Sequence, residues 1–157
     1  MRTIDRRDAI ALIGWGAGAL LLPFRAVAAG PAMRMWRDPG CGCCLAWAKQ
    51  VEAAFGATLP VGDASDMPAL KAKLGVPGDL RSCHTALIGG FVIEGHVPPA
   101  DVRRLLAARP AGVKGLAVRG MPMGSPGMEM GGAPVQPFQT LAFRADGGRF
   151  VFAGHGR

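Results

Sequence analysis

From residue 32 to residue 37 apolar and basic side chains alternate (Ala32, Met33, Arg34, Met35, Trp36, Arg37), which predicts a half-buried strand with Met33 and Met35 on its core face. Asp38-Pro39-Gly40 ends it. From Cys43 the apolar positions recur at three- and four-residue spacing (Cys44, Trp47, Ala48, Val51, Phe55), a helix with Gly56 where a C-cap is wanted. Residues 58–62 read as a short second strand. Asp66-Met67-Pro68 opens a second helix, with Asp66 as its cap and an early proline that costs little there; Gly75 ends it, with Pro77 behind. Two apolar runs, Thr85-Ala86-Leu87-Ile88 and Phe91-Val92-Ile93-Glu94, are joined by Gly89-Gly90 and predict a hairpin. Pro98-Pro99-Ala100-Asp101 then starts a third helix that buries Val102, Leu105 and Leu106.

This order, βαβα followed by ββα, is that of a thioredoxin-like α/β domain. The remainder differs in character. Residues 120–132 hold too much Gly and Pro for a regular element and predict a long functional loop or a mobile arm. Phe138-Gln139-Thr140-Leu141-Ala142-Phe143 and Arg149-Phe150-Val151-Phe152 flank Asp146-Gly147-Gly148, an added C-terminal β-hairpin that packs on the main domain or extends its sheet. No internal repeat is present.

Length and composition fit one domain. The chain has 157 residues, half of them apolar and 18% charged, the balance of a globular protein. A net charge of +7 raises the question of nucleic acid. The basic residues are scattered, however, with only Arg6-Arg7 and Arg103-Arg104 adjacent, so a solvated positive surface is expected and no nucleic-acid partner.

The first 29 residues carry the three parts of an export signal: Arg2, Arg6 and Arg7, then an apolar run over 9–22, then Ala26-Val27-Ala28 as a small-x-small cleavage site. The run is too short and too rich in Gly and Ala for a membrane span, so none is expected to remain after cleavage. Asp5-Arg6-Arg7-Asp8 resembles a twin-arginine signal. The expectation is a periplasmic protein, exported by the twin-arginine or the general secretory route, whose residues 30–157 form a single domain.

The candidate chemistry lies in Asp38-Pro39-Gly40-Cys41-Gly42-Cys43-Cys44 and in Ser82-Cys83-His84-Thr85. Structural cross-links are one reading, but bridges within Cys41, Cys43 and Cys44 close tiny loops and gain little. A dithiol redox centre is another: Cys41 and Cys44 form a Cys-x-x-Cys pair at a helix N-terminus, where thiolates are favoured. Against it, Cys43 competes in every exchange, and His84 stands where a thioredoxin-type loop has proline. Metal binding uses all of these features. Thiolates are soft ligands suited to Cu(I). Cys43 and Cys44 leave a helix about 100° apart, which is awkward around one tetrahedral ion and workable when thiolates bridge several. The paired two-residue spacers of zinc sites are absent.

Four thioethers tilt the choice toward copper. Met121, Met123, Met128 and Met130 lie in the Gly/Pro loop and cannot be the core stripe of a helix, although a flexible apolar patch is the alternative reading. His84 is a candidate ligand or a donor to one. His96, in Gly95-His96-Val97-Pro98, leads into the third helix toward the same end of the sheet; His155 reads as a surface residue.

Asp38-Pro39-Gly40-Cys41-Gly42-Cys43-Cys44, Leu80-Arg81-Ser82-Cys83-His84-Thr85, Gly95-His96-Val97-Pro98 and residues 120–128 together resemble the CopG-like family of periplasmic copper-resistance proteins, over nearly the whole mature chain. The resemblance implies a thioredoxin-like fold that carries copper, with Cys41, Cys43, Cys44 and Cys83 as thiolate ligands and the Cys83-His84 loop facing the first helix. It leaves three roles open: storage, delivery to a copper exporter or periplasmic chaperone, and redox conversion of copper. From the residues, the function expected is sequestration or transfer of Cu(I). A thiol–disulfide oxidoreductase using Cys41 and Cys44, or a copper redox enzyme, is the alternative.

Overall fold

Strand β1 (Met33–Arg37) lies inside a seven-stranded sheet, second from one edge. The computed structural model describes residues 30–156; the expected export signal lies outside them. After β1 come α1 (Gly42–Phe55), β2 (Val61–Asp63), α2 (Met67–Leu74), a 3₁₀ turn (Gly78–Leu80), β3 (His84–Ile88), β4 (Phe91–Glu94), α3 (Pro99–Ala108), β5 (Val113–Ala117), β6 (Phe138–Arg144) and β7 (Arg149–His155). In the sheet order β2-β1-β3-β4-β5-β6-β7, strand β1 runs parallel to β2 and antiparallel to β3, and β4 runs parallel to β5; the other neighbours are antiparallel. Among the described residues no helix is long and apolar enough to cross a membrane.

The alternation of strand side chains divides the core between the two faces of the sheet. Met35, Ala86, Ile88, Ile93, Leu116 and Ala142 face α1 and α3, where they meet Trp47, Val51, Val102 and Leu105. Val92, Ala117 and Phe143 point the other way, toward Val76 and Leu80 beyond α2. Local signals account for most boundaries. Gly56 and Gly75 end α1 and α2 in the left-handed region, and the Asp66 carboxylate accepts the Ala69 N–H at 2.9 Å. Gly89 and Gly90 both have positive φ, as a tight hairpin turn requires.

Three differences from the sequence pattern have physical causes. Strand β5 is absent from the pattern because Lys114 and Gly115 interrupt its apolar run. Gly115 is required there, since a Cβ would run into the Val92 carbonyl of the neighbouring strand. The second strand begins later than residue 58 suggests: Leu59 turns into the core, its N–H held by the Glu52 carboxylate at 2.8 Å. His155 is not a free surface group. Its Nε2 lies 2.9 Å from Asp101 Oδ2 and 3.1 Å from Thr140 Oγ1, and its ring stacks on Phe138, so it ties the hairpin to α3. The hairpin extends the sheet through β5.

Candidate metal centre

The site gathers at one end of the sheet, where β1 runs into α1 and where β3 begins. Gly40, at a φ of 79°, turns the chain into the helix, and the Arg37 guanidinium fixes that turn by donating to the Cys41 carbonyl at 2.8 Å. Cys41 stands at the N-cap of α1 and offers no side-chain cap. Cys41 and Cys44 are joined by a disulfide, while Cys43 and Cys83 are free. Cys43 Sγ lies 3.5 Å from Cys41 Sγ. Cys44 is buried; the other three are half-buried.

Cys83 joins two groups of donors. Its sulfur and those of Cys41, Cys43 and Cys44 lie within 4.8 Å of one another; within the same limit it also meets one nitrogen each of His84 and His96. The approaches are 3.3 Å to His84 Nδ1 and 3.1 Å to His96 Nε2. Burial pushes the Cys83 thiol up to about 11, with the Ser82 hydroxyl pulling the other way. A metal there displaces a proton held by desolvation.

Both imidazoles favour the neutral form. Burial holds His84 well below the ordinary histidine range, with His96 and Lys71 adding to the effect; burial also lowers His96. His96 Nδ1 sits 2.7 Å from the Pro126 carbonyl. A carbonyl only accepts, so Nδ1 carries the proton and the bare Nε2 faces Cys83. His84 is fully buried against Trp47, ring centroids 4.4 Å apart, and its Nε2 has no hydrogen-bond partner. Soft sulfurs and two imidazoles that favour the neutral form are a donor set that fits a thiophilic ion such as Cu(I).

The Met-bearing loop lies over this cluster. Met121 Sδ is 3.9 Å from Cys43 Sγ and the Met121 side chain is exposed. No sulfur contact joins Met123, Met128 or Met130 to the cysteines; Met130 is exposed, and Met123 and Met128 are half-buried. The loop is irregular yet internally bonded. Ser125, fully buried, donates through Oγ to the Pro122 carbonyl, Met128 N–H bonds Ser125 O, and Gln50 of α1 reaches Glu129 at 2.9 Å.

At Gly127 the loop backbone packs closely against α1. A Cβ there would stand 2.8 Å from the Cys43 carbonyl oxygen and 2.8 Å from the Trp47 amide, and φ is 85°. Gly127→Ala is therefore expected to cost about 1–3 kcal/mol in stability and to lift residues 120–130 off α1. Thermal melting and limited proteolysis check it: a lower midpoint with several-fold faster cleavage in the loop is the expected result.

Sequence reasoning brought together Cys41, Cys43, Cys44, Cys83, His84, His96 and Met121, which the structure places at one site. It missed two neighbours. Trp47, read only as core, also donates from Nε1 to the Val97 carbonyl at 2.8 Å beside His96. Ser82 donates from Oγ to the Gly120 carbonyl at 2.5 Å and so fastens the cysteine loop to the methionine loop. Position beside Cys83 was the one signal for Ser82.

The family described as "Protein of unknown function, DUF411" matches residues 80–128, a span that includes Cys83, His84, His96 and the three methionines at 121, 123 and 128. Two solved structures are similar along most of the chain. "Copper resistance protein copG", form 1, shares 41% identity with a TM-score of 0.75, covering 82% of this chain and 100% of its own. Form 2 of the same protein gives 41% and 0.75 over 81% and 99%. No curated protein sequence matches.

Proposed function

Because the chain belongs to the CopG-like family of copper resistance proteins, we propose that it is an exported periplasmic protein that sequesters Cu(I) or hands it to a copper exporter or chaperone. Copper is its cargo. Cys41, Cys43, Cys44 and Cys83 serve as thiolate ligands, His84 and His96 complete the set, and Met121 offers the exposed thioether through which the ion arrives. Met123, Met128 and Met130 add weaker thioether sites along the loop. The observation that carries this reading is the position of Cys83, whose sulfur belongs both to the four-sulfur group and to the sulfur–imidazole group.

A thioredoxin-like origin of the scaffold is supported by the βαβα-ββα order of its first seven helices and strands and by the pairing β2-β1-β3-β4. The arginine-led apolar run over residues 1–29 supports export.

The Cys41–Cys44 bond favours a second reading, a thiol–disulfide oxidoreductase or a redox protein acting on copper. It also sets the test, since the bond must be reduced before all four sulfurs can bind metal. Anaerobic Cu(I) titration of the reduced mature chain is expected to give more than one ion per chain, held tightly, with fewer when the bond is intact. A reduced chain without tight binding overturns the copper reading. Disulfide-reductase turnover that needs Cys41 and survives Cys83→Ser favours the second.

A further inference from the structure

Behind the cysteine cluster, and outside any donor set described above, Glu94 forms a closed polar network in the core. It ends β4 with no exposed surface. Oε1 accepts from Lys71 Nζ at 2.6 Å and from the Ser82 N–H at 2.6 Å; Oε2 accepts from Thr85 Oγ1 at 2.6 Å, and Lys71 also donates to Thr85 Oγ1 at 2.9 Å. Every partner of the carboxyl group is a donor, so the network is satisfied by the carboxylate against the lysine cation. Burial pushes its pKa up, and Lys71 opposes that.

The bonds to Ser82 and to Thr85, where the chain enters β3, flank Cys83 and His84. Ser82 comes immediately before the pair and Thr85 immediately after it, so one rigid carboxylate holds both ends of the segment whose side chains enter the site. Its reach goes further through neighbouring groups. The Ser82 hydroxyl holds Gly120 beside Met121, the Glu94 carbonyl accepts the Val118 N–H at 3.0 Å, and Gly95 N–H bonds the His84 carbonyl at 3.0 Å on the way to His96. A Cβ on Gly95 would stand 2.6 Å from Ser82 Cβ, so these segments are already at contact distance. Buried ion pairs are commonly replaceable by apolar residues without loss of stability. Stability alone is thus a weak account of a lysine and a glutamate in this core.

We propose that Glu94, with Lys71, is the positioning residue of the metal centre: it fixes the Cys83 sulfur and the His84 ring at the approach to the cysteine triplet while touching neither copper nor sulfur itself. This rests on the copper reading for its purpose, but its geometry can be tested without metal.

Two paired variants of the mature chain separate positioning from mere burial. Lys71→Met with Glu94→Gln removes both charges yet keeps both grips, the amide oxygen accepting from Ser82 and the amide N–H₂ donating to Thr85 Oγ1. Lys71→Met with Glu94→Leu removes the grips and keeps the volume apolar. In the reduced, metal-free protein, the ratio of alkylation rates at Cys83 and Cys43 is expected to rise about tenfold in the leucine pair and to stay near wild type in the glutamine pair. Cu(I) affinity, by chelator competition, is expected to fall about tenfold in the leucine pair alone, in the range seen when groups that orient metal ligands are removed.

A folded leucine pair with wild-type alkylation and affinity overturns the proposal, as does a glutamine pair that behaves like the leucine pair. Should the leucine pair not fold, Thr85→Val removes one grip on a side chain of the same shape; an unchanged alkylation ratio there overturns it equally. If wild type itself takes up no Cu(I), the copper reading fails, and the alkylation ratio still decides the role of Glu94.

Discussion

Cys83→Ser is expected to lower Cu(I) affinity by about 100-fold or more and to reduce the number of ions held, while leaving the fold intact. Cys83 is the one cysteine outside the start of α1, and the nearest ring nitrogens of His84 and His96 converge on it at 3.3 and 3.1 Å. Its loss severs the triplet from both imidazoles. A serine oxygen cannot compensate, being a hard donor where Cu(I) prefers thiolate. Loss of a single group that merely orients a ligand already costs 10- to 100-fold in affinity, and loss of the ligand shared by two donor groups should exceed that. The fold should persist because Cys83 is half-buried and takes no part in the disulfide. Anaerobic competition against a Cu(I) chelator reads the first effect and a circular-dichroism melt the second. Wild-type affinity in this variant would remove Cys83 from the ligand set.

Trp47→Ala should produce the largest stability loss of any single substitution near the site. The side chain is fully buried between α1 and the sheet. Truncation opens a cavity, for which about 3–5 kcal/mol is typical, and it leaves the Val97 carbonyl without the indole donor that now lies 2.8 Å away. Against a total of roughly 5–15 kcal/mol for a domain, that is a large fraction, and a melting temperature lower by roughly 10–20 °C is expected. Trp47→Phe divides the effect. It refills much of the cavity and keeps an aromatic face against His84, but it cannot bond Val97, so a loss of about 1–2 kcal/mol should remain. Thermal unfolding of the two variants side by side is the measurement; equal losses would mean that the hydrogen bond, rather than the volume, governs.

The parts of the fold legible in the sequence were those fixed by neighbours along the chain. Asp66 caps its helix three residues away, Gly56 and Gly75 end theirs, and Gly89-Gly90 turns its hairpin, all through local geometry. The cysteine cluster was legible because three thiols crowded at a strand–helix junction gain little as a cross-link closing so short a loop, whereas a soft metal ion would use them all. What escaped depends on pairing at a distance. Strand β5 exists because Gly115 fits between Val92 and Phe143, which come from two other strands. His155 finds Asp101 54 positions away, and Lys71 finds Glu94 23 positions away. No periodicity announces such partners. The methionine loop falls between the two cases: its composition marked it as irregular, but contacts made at a distance, Gly127 against α1, Pro126 against His96 and Gly120 against Ser82 among them, make it a cover for the cluster.

The donors come from far apart in the chain, 78 residues in the case of Cys43 and Met121 and 13 in that of Cys83 and His96. An ion shared among them would act as a reversible staple across α1, the start of β3 and the methionine loop. Any cargo that binds only the folded chain stabilises it by mass action, about 4 kcal/mol at a thousandfold excess over Kd. The loaded protein would then be the long-lived one and the empty protein the one more readily unfolded and degraded. In that way the supply of metal would set how much of the protein persists, with no separate sensor.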